Sequence, residues 1–156
     1  MLTTIAALKK SGRIASINDL IPYAAVLGIE AIHDDLGLVT VLRFRETNIG
    51  NPALPAIHGG VVGAVLEHAA ILHLIAETEL EAIPRIINVS IDYLRPCRAV
   101  DTFARGRIVR QGRRIANVRV EAWQDDQPER PVAAAHAHFL MNPPADAPLP
   151  PTDDAR

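Results

Sequence analysis

Hydrophobic and polar positions sort the chain into readable blocks. Asn18 to Leu27 carries Asn and Asp near its start and apolar residues at helical spacing, which predicts a short helix. Gly28 to His33 and Leu36 to Phe44 read as two strands joined by a tight turn at Asp34-Asp35. Asn48 to Ile57 contains Gly50, Pro52 and Pro55 and reads as a loop. From Gly60 to about Thr78 the pattern predicts one long helix. Four strands follow, at Ile86 to Tyr93, Thr102 to Arg110, Arg113 to Trp123 and Val132 to Met141, with a hairpin at Gln111-Gly112 joining the middle pair. In the third of these, Ala116, Val118, Val120 and Ala122 alternate with Asn117, Arg119 and Glu121, so one face is buried and the other wet.

Antiparallel strands with one central helix define an α+β fold. The helix is apolar on nearly every side, so a sheet is expected to enclose it. Gly63, Ala64, Ala69 and Ala70 give it the slim profile that enclosure requires. The chain has 156 residues, 49% hydrophobic and 22% charged, which suits a single globular domain and excludes a disordered or membrane-spanning chain. Only 4% of it is aromatic, so Ala, Val, Ile and Leu must build the core. Pro143, Pro144, Pro148, Pro150 and Pro151 mark 143–156 as a tail without a packed element, leaving 1–142 as the domain. No internal repeat is present.

A formal net charge of -2 gives no footprint for nucleic acid or anionic lipid. The longest apolar stretch, Val61 to Ala76, is interrupted by Glu67, His68 and His73 and is not expected to span a membrane. The apolar start of the chain precedes Lys9-Lys10, the reverse of a signal peptide's order, and a cytoplasmic protein is expected. One cysteine, Cys97, excludes an intramolecular disulfide and a Cys-rich zinc site.

The candidate chemistry gathers at the start of the long helix. His58-Gly59-Gly60 leads into it, placing unpaired N–H groups and the positive dipole end where a developing oxyanion is best held. Glu67 is a lone carboxylate in an apolar helix, where burial without a partner is costly. Each has a structural alternative: a Gly-Gly pair is also tight-turn geometry, and Glu67 has His68, Arg43 and Arg85 as possible ion-pair partners. His136 and His138 stand at a strand spacing that can share a metal, but no further ligand set accompanies them, and no metal is expected.

The run His58-Gly59-Gly60-Val61-Val62-Gly63-Ala64-Val65-Leu66-Glu67, an upstream Asn, and the later Tyr93-Leu94-Arg95-Pro96 resemble hotdog-fold acyl-CoA thioesterases. The likeness is to the phenylacetate-pathway (PaaI-like) branch of the 4-hydroxybenzoyl-CoA thioesterase superfamily, over roughly Leu20 to Met141. It implies an antiparallel sheet wrapped around one long helix. It further implies that Gly59 polarises the thioester carbonyl, with His58, Gly60 and Val61 beside it, and that Glu67 is general base or nucleophile. Asn48, with Asn51 as its rival, matches the Asn that helps hold the substrate or the water. Ile86 stands where several members carry a water-orienting Ser or Thr. Gly112 and Arg113, on a hairpin that members often use near the nucleotide, are the candidate phosphate contacts. Seven arginines lie between Arg98 and Arg119, and most of them read as a solvated edge.

Gly59 and Glu67 are about 12 Å apart along a helix. Groups acting on one carbonyl must each lie within about 3 Å of it. One chain fails that condition and two antiparallel helices meet it, so an obligate homodimer is expected, with a homotetramer as a further assembly. The expected partner is an acyl-CoA substrate, with no cofactor beyond the coenzyme A it carries. Two other readings stand beside hydrolysis. One is a non-catalytic acyl-CoA-binding dimer, favoured by Ile86. The other is a hotdog dehydratase, which pairs the helix Glu with a His about fourteen positions earlier, where this chain has Ala53.

Overall fold

A computed structural model describes residues 2–80 and 83–141. The Pro-rich segment 143–156 lies outside the described residues. Chain order is α1 (Leu2–Lys10), a 3-10 segment (Ile14–Leu20), α2 (Pro22–Leu27), β1 (Ile29–Asp34), β2 (Gly37–Leu42), a 3-10 turn (Glu46–Asn48), β3 (Ile49–Asn51), β4 (Ala56–Ile57), α3 (Gly59–Glu77), β5 (Arg85–Tyr93), β6 (Thr102–Gln111), β7 (Ile115–Gln124) and β8 (Ala133–Leu140). Six strands form one antiparallel sheet in the order β1-β2-β6-β7-β8-β5. β3 and β4 make a separate small ribbon.

α3 lies on the face of the sheet lined by Ala104, Ala116, Val118, Val120, Ala122, Ala133, Ala135, Ala137 and Phe139, all buried. Alanines dominate that face, so helix and sheet approach closely. A Cβ added at Gly106 on β6 would stand 2.9 Å from the His73 Cβ of α3. The other face carries a smaller cluster of Val39, Val41, Phe103 and Trp123, with the Arg105 guanidinium over the Trp123 ring.

Two expectations change and one element is added. The helix expected over Asn18 to Leu27 is two pieces, because Pro22 occupies the first turn of α2 and holds Ile21 extended. The loop at Asn48 to Ile57 folds back as the β3–β4 ribbon, seated so closely that a Cβ at Gly50 would meet the His58 Cα at 2.7 Å. The N-terminal run is a helix, α1, anchored by the buried Ile5 and by Lys9, which bonds the Thr78 carbonyl at the C-terminal end of α3.

Within one chain the enclosure of α3 is one-sided. Val62, Val65, Leu66, Ala69, Leu72 and Ile75 are buried, while Gly60, Ala64, Glu67 and Ile71 form a stripe that the chain's own sheet leaves partly open. The nineteen residues of α3 are apolar and long enough to cross a membrane by composition, but half of that stretch is buried in the fold, as in a core helix.

Candidate active site

The first turn of α3 leaves four N–H groups to be satisfied from outside the helix. One, the N–H of the N-cap residue His58 itself, goes to the Asn48 carbonyl, and His58 takes two more, those of Gly60 and Val61, while Val62 N–H makes the first regular helix bond. The His58 ring Nδ1 accepts from Gly60 N–H at 2.9 Å, and its carbonyl accepts from Val61 N–H at 2.9 Å and Val62 N–H at 3.1 Å. Among the described residues, Gly59 N–H has no partner. Across from it, Tyr93 at the end of β5 donates its hydroxyl to the Gly59 carbonyl at 2.8 Å, and its ring lies 3.4 Å from where a Gly59 Cβ would stand.

β5 runs antiparallel to α3 along this contact: Tyr93 meets Gly59, and a Cβ at Gly63 would stand 3.0 Å from Ile91 Cδ1. Gly59 and Gly63, at i and i+4, face β5, and Glu67, at i+8, lies at the edge of the partly open stripe. Glu67 is partly buried, and burial raises its carboxyl above the ordinary range. Among the described residues no hydrogen bond or ion pair reaches it; Arg43 pairs instead with Glu30 and Asp101. His68, the next residue, points the other way. It is buried, its Nε2 lies 2.7 Å from Asn18 Oδ1, and Asn18 in turn donates to the Ile29 carbonyl at 2.8 Å. Burial lowers its pKa to about 4.

A cleft of about 390 Å³ opens beside Gly59, lined by Ile57, Val62, Tyr93, Pro96, Val132 and Ala133 among others. Cys97 also lines it, but its thiol is buried against Thr102 and Gln124 and its pKa is raised by that burial, which removes it as a nucleophile. Arg95, Pro96 and Val132 are shared with a second cleft of about 440 Å³ that adds Arg98, Gln124, Asp125, Gln127 and Arg130. Gln124 fixes its wall: Oε1 accepts from Arg98 N–H at 3.0 Å and Nε2 donates to the Arg98 carbonyl at 2.9 Å. Arg98 pairs with Asp125. An apolar cleft with a free N–H therefore opens directly into a cationic one. From sequence Arg98 reads as one of a solvated set and Arg130 carries no signal of its own; the one hint is that Arg95 and Arg98 flank Pro96-Cys97.

The remaining candidates divide. Asn48 joins the site through its backbone, its carbonyl accepting from His58 N–H at 2.9 Å, while its buried side-chain amide donates to the Leu27 carbonyl at 2.8 Å. Asn51 caps its own turn, accepting from Ala53 and Leu54 N–H. Val61 is half-buried in the first turn of α3. Ile86 is half-buried near the far end of β5, paired with Phe139. Gly112 and Arg113 form the β6–β7 tip, beyond the register row that joins Ile115, Leu140 and Arg85. That row is about 27 Å from Tyr93, at ~3.4 Å per strand residue. The fold brings His58, Gly59, Gly60, Val61 and the Asn48 backbone together, but within one chain keeps Ile86, Gly112 and Arg113 apart from them. His138 bonds Asn88 at 2.7 Å, and no cluster of three metal-binding side chains occurs among the described residues.

Comparison with known proteins shows what the chain is similar to. Residues 50–140 match the family described as acyl-CoA thioesterase N-terminal domain. The medium/long-chain acyl-CoA thioesterase YigI of Salmonella typhimurium is 30% identical, spanning 90% of this chain and 97% of YigI. A crystal structure from Chromobacterium violaceum is 38% identical, with a TM-score of 0.73 over 92% of this chain and 99% of that one. A phenylacetic acid degradation-related protein from Ralstonia eutropha is 29% identical, with a TM-score of 0.66 over 76% of this chain and 89% of that one.

Proposed function

The chain belongs to the hotdog-fold acyl-CoA thioesterase family, and from that membership we propose that it hydrolyses an acyl-CoA thioester with Gly59 and Glu67 supplied by two copies of the chain. The carrying observation is that one helix holds, among the described residues, an unpartnered Gly59 N–H at its start and an unpartnered Glu67 carboxylate two turns on. The thioester carbonyl accepts from Gly59 N–H, which holds the oxyanion as water adds to the carbonyl carbon. Glu67 takes the water proton as its oxygen bonds to carbon, then returns a proton to sulfur as the C–S bond breaks and coenzyme A leaves. Direct attack by the carboxylate, through an anhydride that water opens, uses the same two groups. Oxygen-18 incorporation into Glu67 in a single turnover separates the two routes.

The two-copy site is supported by the helix and by the sheet edge. α3 is apolar all round, yet its stripe through Ala64, Glu67 and Ile71 is left open by its own chain. β5 is an edge strand with Ile87 56% and Tyr93 57% exposed, and an exposed edge of nine residues that carries such apolar side chains calls for a pairing strand. Antiparallel pairing of two such edges across a two-fold axis sets Gly59 of one protomer toward Glu67 of its partner. It also carries the partner's β6–β7 tip toward the cationic cleft, which reunites Gly112 and Arg113 with the substrate's phosphate end. The acyl group of choice is medium to long, as the name of the curated relative suggests.

Mixing two inactive variants tests this arrangement. Glu67→Ala removes the carboxylate. Gly59→Pro removes the N–H at the first helical position, where proline is tolerated, after a His58 already extended at φ -58, ψ 133. Random re-pairing gives half mixed dimers with one intact site each, so activity should return to about a quarter of wild type. No recovery would overturn the shared site. A second reading, binding without turnover, is favoured by Ile86, which offers no hydroxyl to orient water; tight acyl-CoA binding with no release of free thiol selects it.

A further inference from the structure

We propose that Tyr93 and the ring of His58 are positioning residues that brace the Gly59–Gly60 peptide and hold Gly59 N–H as the one donor aimed into the cleft. The inference rests on the thioester reading above and adds to it the residues that set the donor's direction. Three observations carry it.

First, both peptide planes that flank Gly59 are locked. The His58–Gly59 plane is fixed at its carbonyl, which accepts from Val61 and Val62 N–H. Because the peptide is planar and trans, its N–H must then project the opposite way, off the end of the helix. The Gly59–Gly60 plane is held at both ends, by the Tyr93 hydroxyl at 2.8 Å on the carbonyl and by His58 Nδ1 at 2.9 Å on the N–H. Second, the His58 bond consumes Gly60 N–H, the competing donor, so the turn presents one donor and not two. Accepting at Nδ1 also requires a neutral ring with its proton on Nε2. Third, Gly59 has no conformational reason to be glycine. Its φ is not among the positive ones, which belong to Gly12, Gly28 and Gly37. An alanine Cβ would meet the Tyr93 ring at 3.4 Å, an ordinary contact. What a side chain there would occupy is the cleft itself. The bracing is complete within one protomer, since β5 and α3 of the same chain supply every member.

The experiment compares the full-length wild type with Tyr93→Phe, His58→Ala and His58→Asn. Two readouts are taken: steady-state turnover of octanoyl-CoA, and the Gly59 amide proton shift on saturation with a ketone analogue of octanoyl-CoA, in which a methylene separates sulfur from the carbonyl. Tyr93→Phe keeps the ring and loses only the hydroxyl bond. It should lower kcat by about tenfold with KM little changed, and reduce the ketone-induced Gly59 shift by more than half. His58→Ala should do the same, and His58→Asn, which restores a capping acceptor, should recover both readouts. Wild-type kcat and a full Gly59 shift in Tyr93→Phe would overturn the bracing. So would a wild-type Gly59 amide that does not move at saturating ketone. A moving Gly59 amide that Tyr93→Phe weakens, in a wild type that turns over no acyl-CoA, upholds the bracing and sinks hydrolysis instead.

Discussion

Glu67 and His68 are neighbours on one helix with opposite fates. On the closed side of α3, His68 is buried, bonded to Asn18, and through it tied to the Ile29 carbonyl of β1. Its Nε2 is accounted for, and burial favours the neutral ring. On the open side, Glu67 is only partly covered and, among the described residues, no side chain of its own chain answers it. A buried polar group with matched partners stabilises a fold, whereas one held without partners costs stability and signals a task that the isolated chain does not complete. The same distinction separates Gly60, whose N–H is capped, from Gly59, whose N–H is free.

The sharpest way to break this contrast is to exchange the fates of the two sides. Glu67→Ala should lower kcat/KM for acyl-CoA about a thousandfold while the circular dichroism spectrum keeps its wild-type shape; unchanged turnover would remove Glu67 from the chemistry. Asn18→Ala should do the reverse. It should cost about 1–3 kcal/mol in urea denaturation and leave turnover per folded molecule intact.

Titration sharpens the contrast further. With its folded pKa near 4 against an ordinary value near 6.5, His68 binds fewer protons in the folded state than in the unfolded one across that window. Wild-type stability should therefore fall as pH drops from about 6.5 toward about 4. His68→Gln should flatten that slope in urea melts taken through the same range. Glu67 works in the other direction on activity. Its carboxyl is raised by burial, so the acid limb of kcat/KM should sit above the pKa of an exposed glutamate.

Smaller effects complete the series. Arg98→Ala, in the cleft that adjoins Gly59, should raise KM for acyl-CoA by about tenfold, the loss expected for a charge-assisted contact. It should leave KM for the corresponding acyl-pantetheine, which lacks the nucleotide, unchanged. Smallest of all, Glu67→Gln should raise the melting temperature at neutral pH by on the order of 1 °C. A carboxyl whose folded pKa is raised lowers stability at every pH above that pKa, and the amide relieves it.

Much of the molecule is legible from residue pattern. The long helix and all six strands of the main sheet fall within one or two residues of their expected limits, because alternation in strands such as Ile115–Gln124 and sustained apolarity in Gly59–Glu77 are strong periodic signals. Expectations fail where signals are short or non-periodic. α1 has few residues and no acidic first turn to announce it. The β3–β4 ribbon is built from Pro- and Gly-rich sequence that carries no strand pattern. At the site, Gly59 and Glu67 stand out on local grounds, a glycine pair before a helix and a charge within it. Tyr93 is different: its hydroxyl reaches a carbonyl 34 positions earlier in the chain, a relation that only the fold reveals. The role of His58 was equally hidden, since a histidine before Gly-Gly reads as chemistry until its ring is found on the Gly60 N–H.

The place of β8 in the sheet bears on how the protein is made. Ala133–Leu140 lies between β7 and β5, so the strand that joins these two into a single sheet is made after both of them. Until it emerges, β5 has been waiting for some forty residues of synthesis, about the interval between its own end and the start of its sheet partner among the described residues of its own chain. The nascent chain therefore holds two pieces of sheet unjoined over that interval, and the sheet closes only when β8 is made. A chain cut short before Ala133 would lose its keystone as well as a strand, and β5 would have no sheet to belong to.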